Sequence, residues 1–226
     1  MKKLTILTAI ALLVFSLSGC SGTDKADTSP SNSPAKQETA ADLLAKGNNL
    51  PGLTYDYTVK TKEGSGMEGK VWVSGKNMKT EAAMENQKII TFLDGDTNVL
   101  YNYMPSQAMI MKIPFDPEKA VKSPEQYSKE ADAAKAKILE TVTYDGIHCK
   151  VVLIEEKEEQ QQIKMWVRED YGIPVKVEVT QAGVLQMTAE YKNITVGPVP
   201  PEAFTLPQGI PVTDMGEMMK QLPAKS

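Results

Sequence analysis

"LTYDYTVKT", residues 53–61, alternates without a break. Leu53, Tyr55, Tyr57 and Val59 fall on one side of an extended chain, and Thr54, Asp56, Thr58 and Lys60 on the other. Period-two spacing marks a strand with one buried face, because successive side chains of a strand point to opposite faces. Five more stretches follow at short intervals: "GKVWVSG" (69–75), "NMKTEA" (77–82), "KIITFLDG" (88–95), "NVLYNYM" (98–104) and "AMIMKIP" (108–114). Another four come later: "HCKVVLIEE" (148–156), "QIKMWVRED" (162–170), "VKVEVTQ" (175–181) and "VLQMTAEYKNITV" (184–196). Turn residues separate them, among them Asp-Gly-Asp, Tyr-Asp-Gly, Tyr-Gly-Ile-Pro and Gln-Ala-Gly. The pattern predicts about ten strands, joined by hairpins into one large antiparallel sheet. A sheet of that length curls or closes.

Helical signals are few. "ETAADLLAKGN" (38–48) has good helix formers before a Gly-Asn-Asn stop. "PEQYSKEADAAKAKIL" (124–139) reads as a helix with Ser123 as N-cap and Pro124 in the first turn. A third, short helix is expected over residues 214–221. The fold class is α+β, mostly antiparallel β, with two or three helices against one sheet face.

The N-terminus reads as an export signal. Lys2 and Lys3 precede an apolar run from Leu4 to Leu17, and small residues Ser18 and Gly19 follow. The run is shorter than the roughly 20 apolar residues of a membrane span. Leu17-Ser18-Gly19-Cys20 resembles the bacterial lipobox. That resemblance implies cleavage after residue 19, a diacylglyceryl thioether on Cys20, and anchoring to a membrane. An ordinary signal peptide with an incidental cysteine is the plainer alternative. The expected location is the outer face of the plasma membrane. In a cell with two membranes, Ser21 after the cysteine implies the outer membrane instead.

Residues 21–38, "SGTDKADTSPSNSPAKQE", hold no Val, Ile, Leu or aromatic residue. Such a segment cannot bury enough apolar surface to order itself and reads as a spacer. Three parts are therefore expected: a signal peptide over 1–19, lipidated cysteine and tether over 20–38, and one domain over 39–226.

Formal net charge is −4, and loss of Lys2 and Lys3 with the signal brings it to −6. An acidic chain without a basic patch is not expected to bind nucleic acid or to adhere electrostatically to lipid. The chemistry of an enzyme is also missing. His148 is the single histidine, no G-x-S-x-G or H-E-x-x-H occurs, and no metal site or cofactor is expected. "DGDTN" (94–98) looks like the start of a calcium loop. Its sixth position is Val99 where glycine is needed, and its twelfth is Pro105 where glutamate is needed, so it reads as a hairpin turn. With Cys20 lipidated, Cys149 is alone and reads as a small buried apolar residue.

The stretch "FLDGDTNVLYNYMPSQAMIMKI" (92–113) resembles the LolA/LolB lipoprotein-carrier superfamily at its Asp-Gly hairpin. Tyr191, Asn193, Pro201, Phe204, Pro207, Gly209 and Val212 match the family's C-terminal pattern. The similarity spans roughly residues 40 to 213. It implies an open, unclosed β half-barrel with helices as a lid over an apolar cavity for acyl chains. The family's lid-holding arginine falls near Lys79, which lacks arginine's bidentate fork.

Cavity-lining candidates lie on the apolar faces of the expected strands: Met78, Met109, Met111, Ile113, Ile163, Met165, Val167 and Met187. Methionine is flexible and polarizable and suits variable apolar ligands, though core filling accounts for any single one equally well. The expected function is a lipid-anchored envelope protein that binds a lipid or a lipoprotein's acyl chain, for carriage or reception. The alternative is a sensor of the RseB type, built on the same scaffold, that binds an envelope protein partner.

Overall fold

The structure, a computed structural model, describes residues 38–84, 87–116, 122–158 and 160–221. All of them belong to a unit spanning Gln37–Ser226. Cys20, the signal peptide and nearly all of the tether lie outside the described residues.

Among the described residues, one sheet of twelve strands organises the unit. A first meander runs through β1 (Leu53–Thr61), β2 (Gly66–Ser74), β3 (Asn77–Met84), β4 (Gln87–Asp94), β5 (Val99–Met104) and β6 (Met109–Pro114). A second runs through β7 (Lys137–Tyr144), β8 (Ile147–Glu156), β9 (Gln161–Arg168), β10 (Pro174–Gln181) and β11 (Val184–Val196). Antiparallel pairing of β1 with β11 joins the two. A short β12 (Val212–Asp214) adds to β6 in parallel, so β12 and β7 are the two edges and the sheet stays open. The result is a curved half-barrel, as the sequence pattern and the family resemblance implied.

Two strands go beyond the ten expected. β12 is too short to show alternation. β7 takes the last three residues of the helix expected over 124–139, and a turn takes those before them. The helix α2 covers only Pro124–Glu130. It stops at Ala131, whose ψ of 127° is extended. Asp132 then builds a turn, its carboxylate accepting from the Ala134 N–H at 3.1 Å. From Lys137 the chain pairs with β8, with Ile138 opposite Val152. Ladder hydrogen bonds with β8, and the packing of half-buried Ile138 against the core, outweigh the helix propensity carried over from the alanine- and lysine-rich stretch before it. The β7–β8 hairpin needs left-handed backbone at both loop positions, and Asp145 (φ 50°) and Gly146 (φ 79°) supply it.

Two helices pack on one sheet face. α1 (Ala40–Ala45) is opened by a capping box, in which Thr39 Oγ1 accepts from the Asp42 N–H and Asp42 Oδ2 accepts from the Thr39 N–H, each at 3.1 Å. Its Leu43 and Leu44 pack with Tyr127 of α2 against Val152, Met165, Val167, Val177 and Ala189. Two contacts lock the helices to the β9–β10 loop. Ser128 Oγ donates to the carbonyl of Gly172 at 2.7 Å. Gly172 (φ 65°) passes so close to α1 that a Cβ there would strike the Leu43 carbonyl. A third helix, α3 (Met215–Gln221), follows β12 and sits against β6 at the opposite edge.

Candidate ligand-binding groove

Register places the side chains. Directly paired residues of neighbouring strands share a face. Tyr55 faces Val71, Val71 faces Thr80, Thr80 faces Thr91, and Thr91 faces Asn102. On the far side Val59 faces Ala189, Ala189 faces Val177, and Val177 faces Met165. These rows form one inner face. α1 and α2 cover its β8–β11 half. The β1–β5 half keeps an open groove of about 460 Å³.

Tyr55, Val59, Val71, Met78 and Leu100 wall the groove, with Lys122 and Ser123 lining it just ahead of α2. Tyr55, Val59 and Val71 are buried at its floor. Thr80 and Thr91 add a polar band, and the Thr91 hydroxyl donates to Asn102 Oδ1 at 2.8 Å. Tyr191, also lining the groove, donates its hydroxyl to the Lys122 carbonyl at 3.2 Å. Burial pushes the Tyr55 and Tyr191 hydroxyls well above the ordinary tyrosine range. They remain neutral donors at any physiological pH. An apolar trough with a few fixed polar groups is what small-molecule sites are made of, in a size range of roughly 300–1,000 Å³.

All eight apolar candidates of the sequence fall on this inner face, but they do not come together at one place. Met78 lines the groove. Met165 and Val167 are fully buried beneath the helices, where they are core and touch no open space. Ile163 and Met187 pack half-buried against that same core. Met109, Met111 and Ile113 lie half-buried on β6, where Ile113 faces Leu100 and Met111 faces Asn102. The sequence shows which face each residue takes but not where helices cover it.

Lys79 takes the outer face, opposite the one that carries α1 and α2. Its ammonium pairs with Glu81 at 2.7 Å and lies 4.6 Å from the Trp72 ring centroid. A latch on the helices, as the family resemblance implied, is therefore corrected to an outer-face cation–π contact. Lys164, Trp166 and Arg168 also face outward, with Lys176 4.4 Å from the Trp166 ring. Cys149 is fully buried, and burial pushes its thiol up to about 11. Among the described residues no cluster of His, Cys, Asp and Glu could hold a metal ion.

Sequence reasoning missed Tyr191, Thr80, Thr91 and Ser123 as groove residues. Alternation gave the strand residues their face, but the hairpin register that aligns them across strands was needed to bring them together.

No protein-family model matches the chain. It is 31% identical over 147 residues to an uncharacterized protein of Methanocaldococcus jannaschii, a match that covers 60% of this chain and 41% of that one. The chain thus spans about two-fifths of the length of this curated relative. Among solved structures, an uncharacterized conserved protein from Thermus thermophilus superposes with a TM-score of 0.51 at 8% identity, covering 77% of this chain and 96% of its own. MucB gives a TM-score of 0.49 at 13% identity, covering 75% of this chain and 62% of that one. A LolA superfamily protein from Nitrosomonas europaea gives 0.36 at 13% identity, covering 75% and 98%. The Thermus likeness shows the fold: an open, curved antiparallel sheet that carries short helices on one face.

Proposed function

We propose that this protein is exported, anchored by a lipid on Cys20, and holds an apolar ligand in the inner-face groove. The ligand is the acyl chain of a lipid or of a lipoprotein, carried or received at the cell envelope. One observation supports this above all. Half of the inner face is filled by helices, while the other half leaves about 460 Å³ of apolar trough over Val59, Val71 and Met78. The open sheet, whose edges β12 and β7 do not pair with each other, leaves that trough accessible to a chain-like ligand. The parts of the chain follow: signal over 1–19, anchor and tether over 20–38, and binding domain from 39 onward.

The test uses the full chain with Cys20→Ala, so that no lipid is attached covalently. The protein is purified without detergent and extracted with organic solvent, and the extract is analysed by mass spectrometry. A lipid near one per chain supports the reading. Protein that carries no lipid and takes up no added acyl chain sinks it, and co-purification with a specific envelope protein would then favour the sensor. The anchor is tested separately. Cys20→Ala should leave the protein unlipidated in the cell, and an unchanged mature mass with membrane partitioning retained would remove the lipobox.

A further inference from the structure

The groove floor holds a hydrogen-bond donor with nothing to donate to. Tyr55 lines the groove and is 3% exposed. Its hydroxyl has no hydrogen-bond partner among the described residues. Nor is that hydroxyl sealed: among those residues, the side-chain atom that is both unpaired and closed off from space is Glu125 Oε2. The Tyr55 hydroxyl therefore opens on the groove that its side chain lines. Tyr191 differs, since its hydroxyl already donates to the Lys122 carbonyl at 3.2 Å. Polar groups at such depth are almost always paired in native proteins, and a bound acceptor would supply the missing bond. The lining also limits what that acceptor can be. Asp116 and Lys122 are its charged residues. The first is acidic, and the ammonium of the second pairs with Glu130 at 2.7 Å. A carboxylate head would lose its water here and find no uncommitted cation among the described lining residues. An ester carbonyl carries no charge, loses far less on leaving water, and accepts a hydrogen bond.

We propose that Tyr55 sets the specificity of the groove by donating its hydroxyl to the ester carbonyl of an esterified acyl chain, whose hydrocarbon lies along Val59, Val71 and Met78. The ligand class is then an acyl ester, and the free fatty acid is discriminated against. This rests on the groove being an acyl-chain site.

The experiment uses the full chain with Cys20→Ala and a neutral fluorescent probe, N-phenyl-1-naphthylamine. Methyl decanoate and decanoic acid then compete for the probe at pH 7. The protein with Tyr55 intact should release the probe at ester concentrations about tenfold or more below those of the acid. An apolar trough alone would also favour the ester, so Tyr55→Phe decides. It keeps the ring and removes the hydroxyl. The ester should then compete at least about threefold less well, the scale of one hydrogen bond, while probe affinity stays within about twofold. A second readout needs no variant. The infrared carbonyl band of bound, isotope-labelled methyl decanoate should lie below its position in hexane, and Tyr55→Phe should move it back. Undiminished ester competition in Tyr55→Phe, an acid that competes as well as the ester with Tyr55 intact, or a carbonyl band at its hexane position overturns the role of Tyr55 and leaves the groove standing. Failure to bind probe, ester and acid alike with Tyr55 intact overturns both. Should Tyr55→Phe not fold, the position of the carbonyl band with Tyr55 intact decides by itself.

Discussion

Tyr191 meets Tyr55 edge to face, with ring centroids 5.6 Å apart and planes at 90°. Such a pair adds roughly 0.5–1.5 kcal/mol beyond its burial. A bulge makes it possible. Thr54 pairs with Thr195 and Asp56 with Lys192, so Asn193 and Ile194 together oppose Tyr55 alone. Asn193 takes the left-handed conformation there (φ 52°) and its side-chain amide donates to Asp56 Oδ2 at 2.6 Å. The extra residue bends β11 where the two meanders join. The tyrosines mark the boundary on the inner face: helices cover the sheet on one side of them, and the groove lies on the other.

Met78 is the sequence candidate that the groove retains. A glutamate there would have to be desolvated against an apolar chain. Met78→Glu should weaken binding of a fluorescent fatty-acid or lipid probe by at least about tenfold, or ~1.4 kcal/mol. Lys164→Glu, on the outer face beside Trp166, should leave binding unchanged. Titration of the probe into both folded variants is the check, and equal affinities would remove the groove as the site.

Much of this fold was legible in the sequence. Alternation gave ten of the twelve strands, and it placed Met78, Met165 and Lys164 on the correct faces. The rest was not, for physical reasons. β7 was hidden because its neighbours are alanine and lysine, and only pairing with β8 makes it a strand. The groove was hidden because alternation is blind to what covers a face: Met78 and Met165 read alike, yet only one lies beneath helices. Lys79 shows the reverse. The family resemblance gave it a role at the helices, while its own alternation with Met78 put it on the other face.

Met165 shows the consequence of that cover. It is fully buried against α1 and α2. Met165→Ala should cost about 2–5 kcal/mol through lost burial and a residual cavity. Met165→Glu should prevent folding, because a charge there has neither water nor a partner. Urea unfolding followed by circular dichroism measures the first, and a flat melting trace reveals the second. A cooperative Met165→Glu melt near that of wild type would mean that the helices do not seal this half.

Gly95 lies in the β4–β5 turn, where Asp-Gly suggests a two-residue hairpin with left-handed glycine. The structure differs. The loop spans residues 95–98, Asn98 carries the positive φ (53°), and Asp94 Oδ1 accepts from the N–H groups of Asp96 and Thr97 at 3.0 and 3.2 Å. Glycine is needed for space: a Cβ on Gly95 would strike the carbonyl and Cβ of Lys76. Gly95→Val should therefore destabilise the domain by about 1–3 kcal/mol, the scale of overpacking. The midpoint of a urea titration reads this directly, and an unchanged midpoint would show that the β2–β3 turn yields at no cost.

The buried tyrosines should make the domain sensitive to alkali. Desolvation holds Tyr55 and Tyr191 well above the usual value of 10.0 and raises Tyr127 to about 12. The unfolded chain loses these protons near pH 10, while the folded chain keeps them. Above pH 10 the native state therefore binds more protons, and stability falls with rising pH. Each such tyrosine contributes up to about 1.4 kcal/mol per pH unit until its folded value is passed. For Tyr127 the window runs from pH 10 to about 12. Below pH 10 its contribution is fully present and flat. Tyr127→Phe keeps the ring beneath the Lys122 ammonium, 6.0 Å from the centroid, and removes the proton. Urea unfolding of wild type and Tyr127→Phe at several values between pH 8 and pH 11 separates the cases. The variant should lose stability less steeply above pH 10, by up to about 1.4 kcal/mol per pH unit. Parallel curves for the two proteins would mean that Tyr127 titrates in the folded state as it does in water.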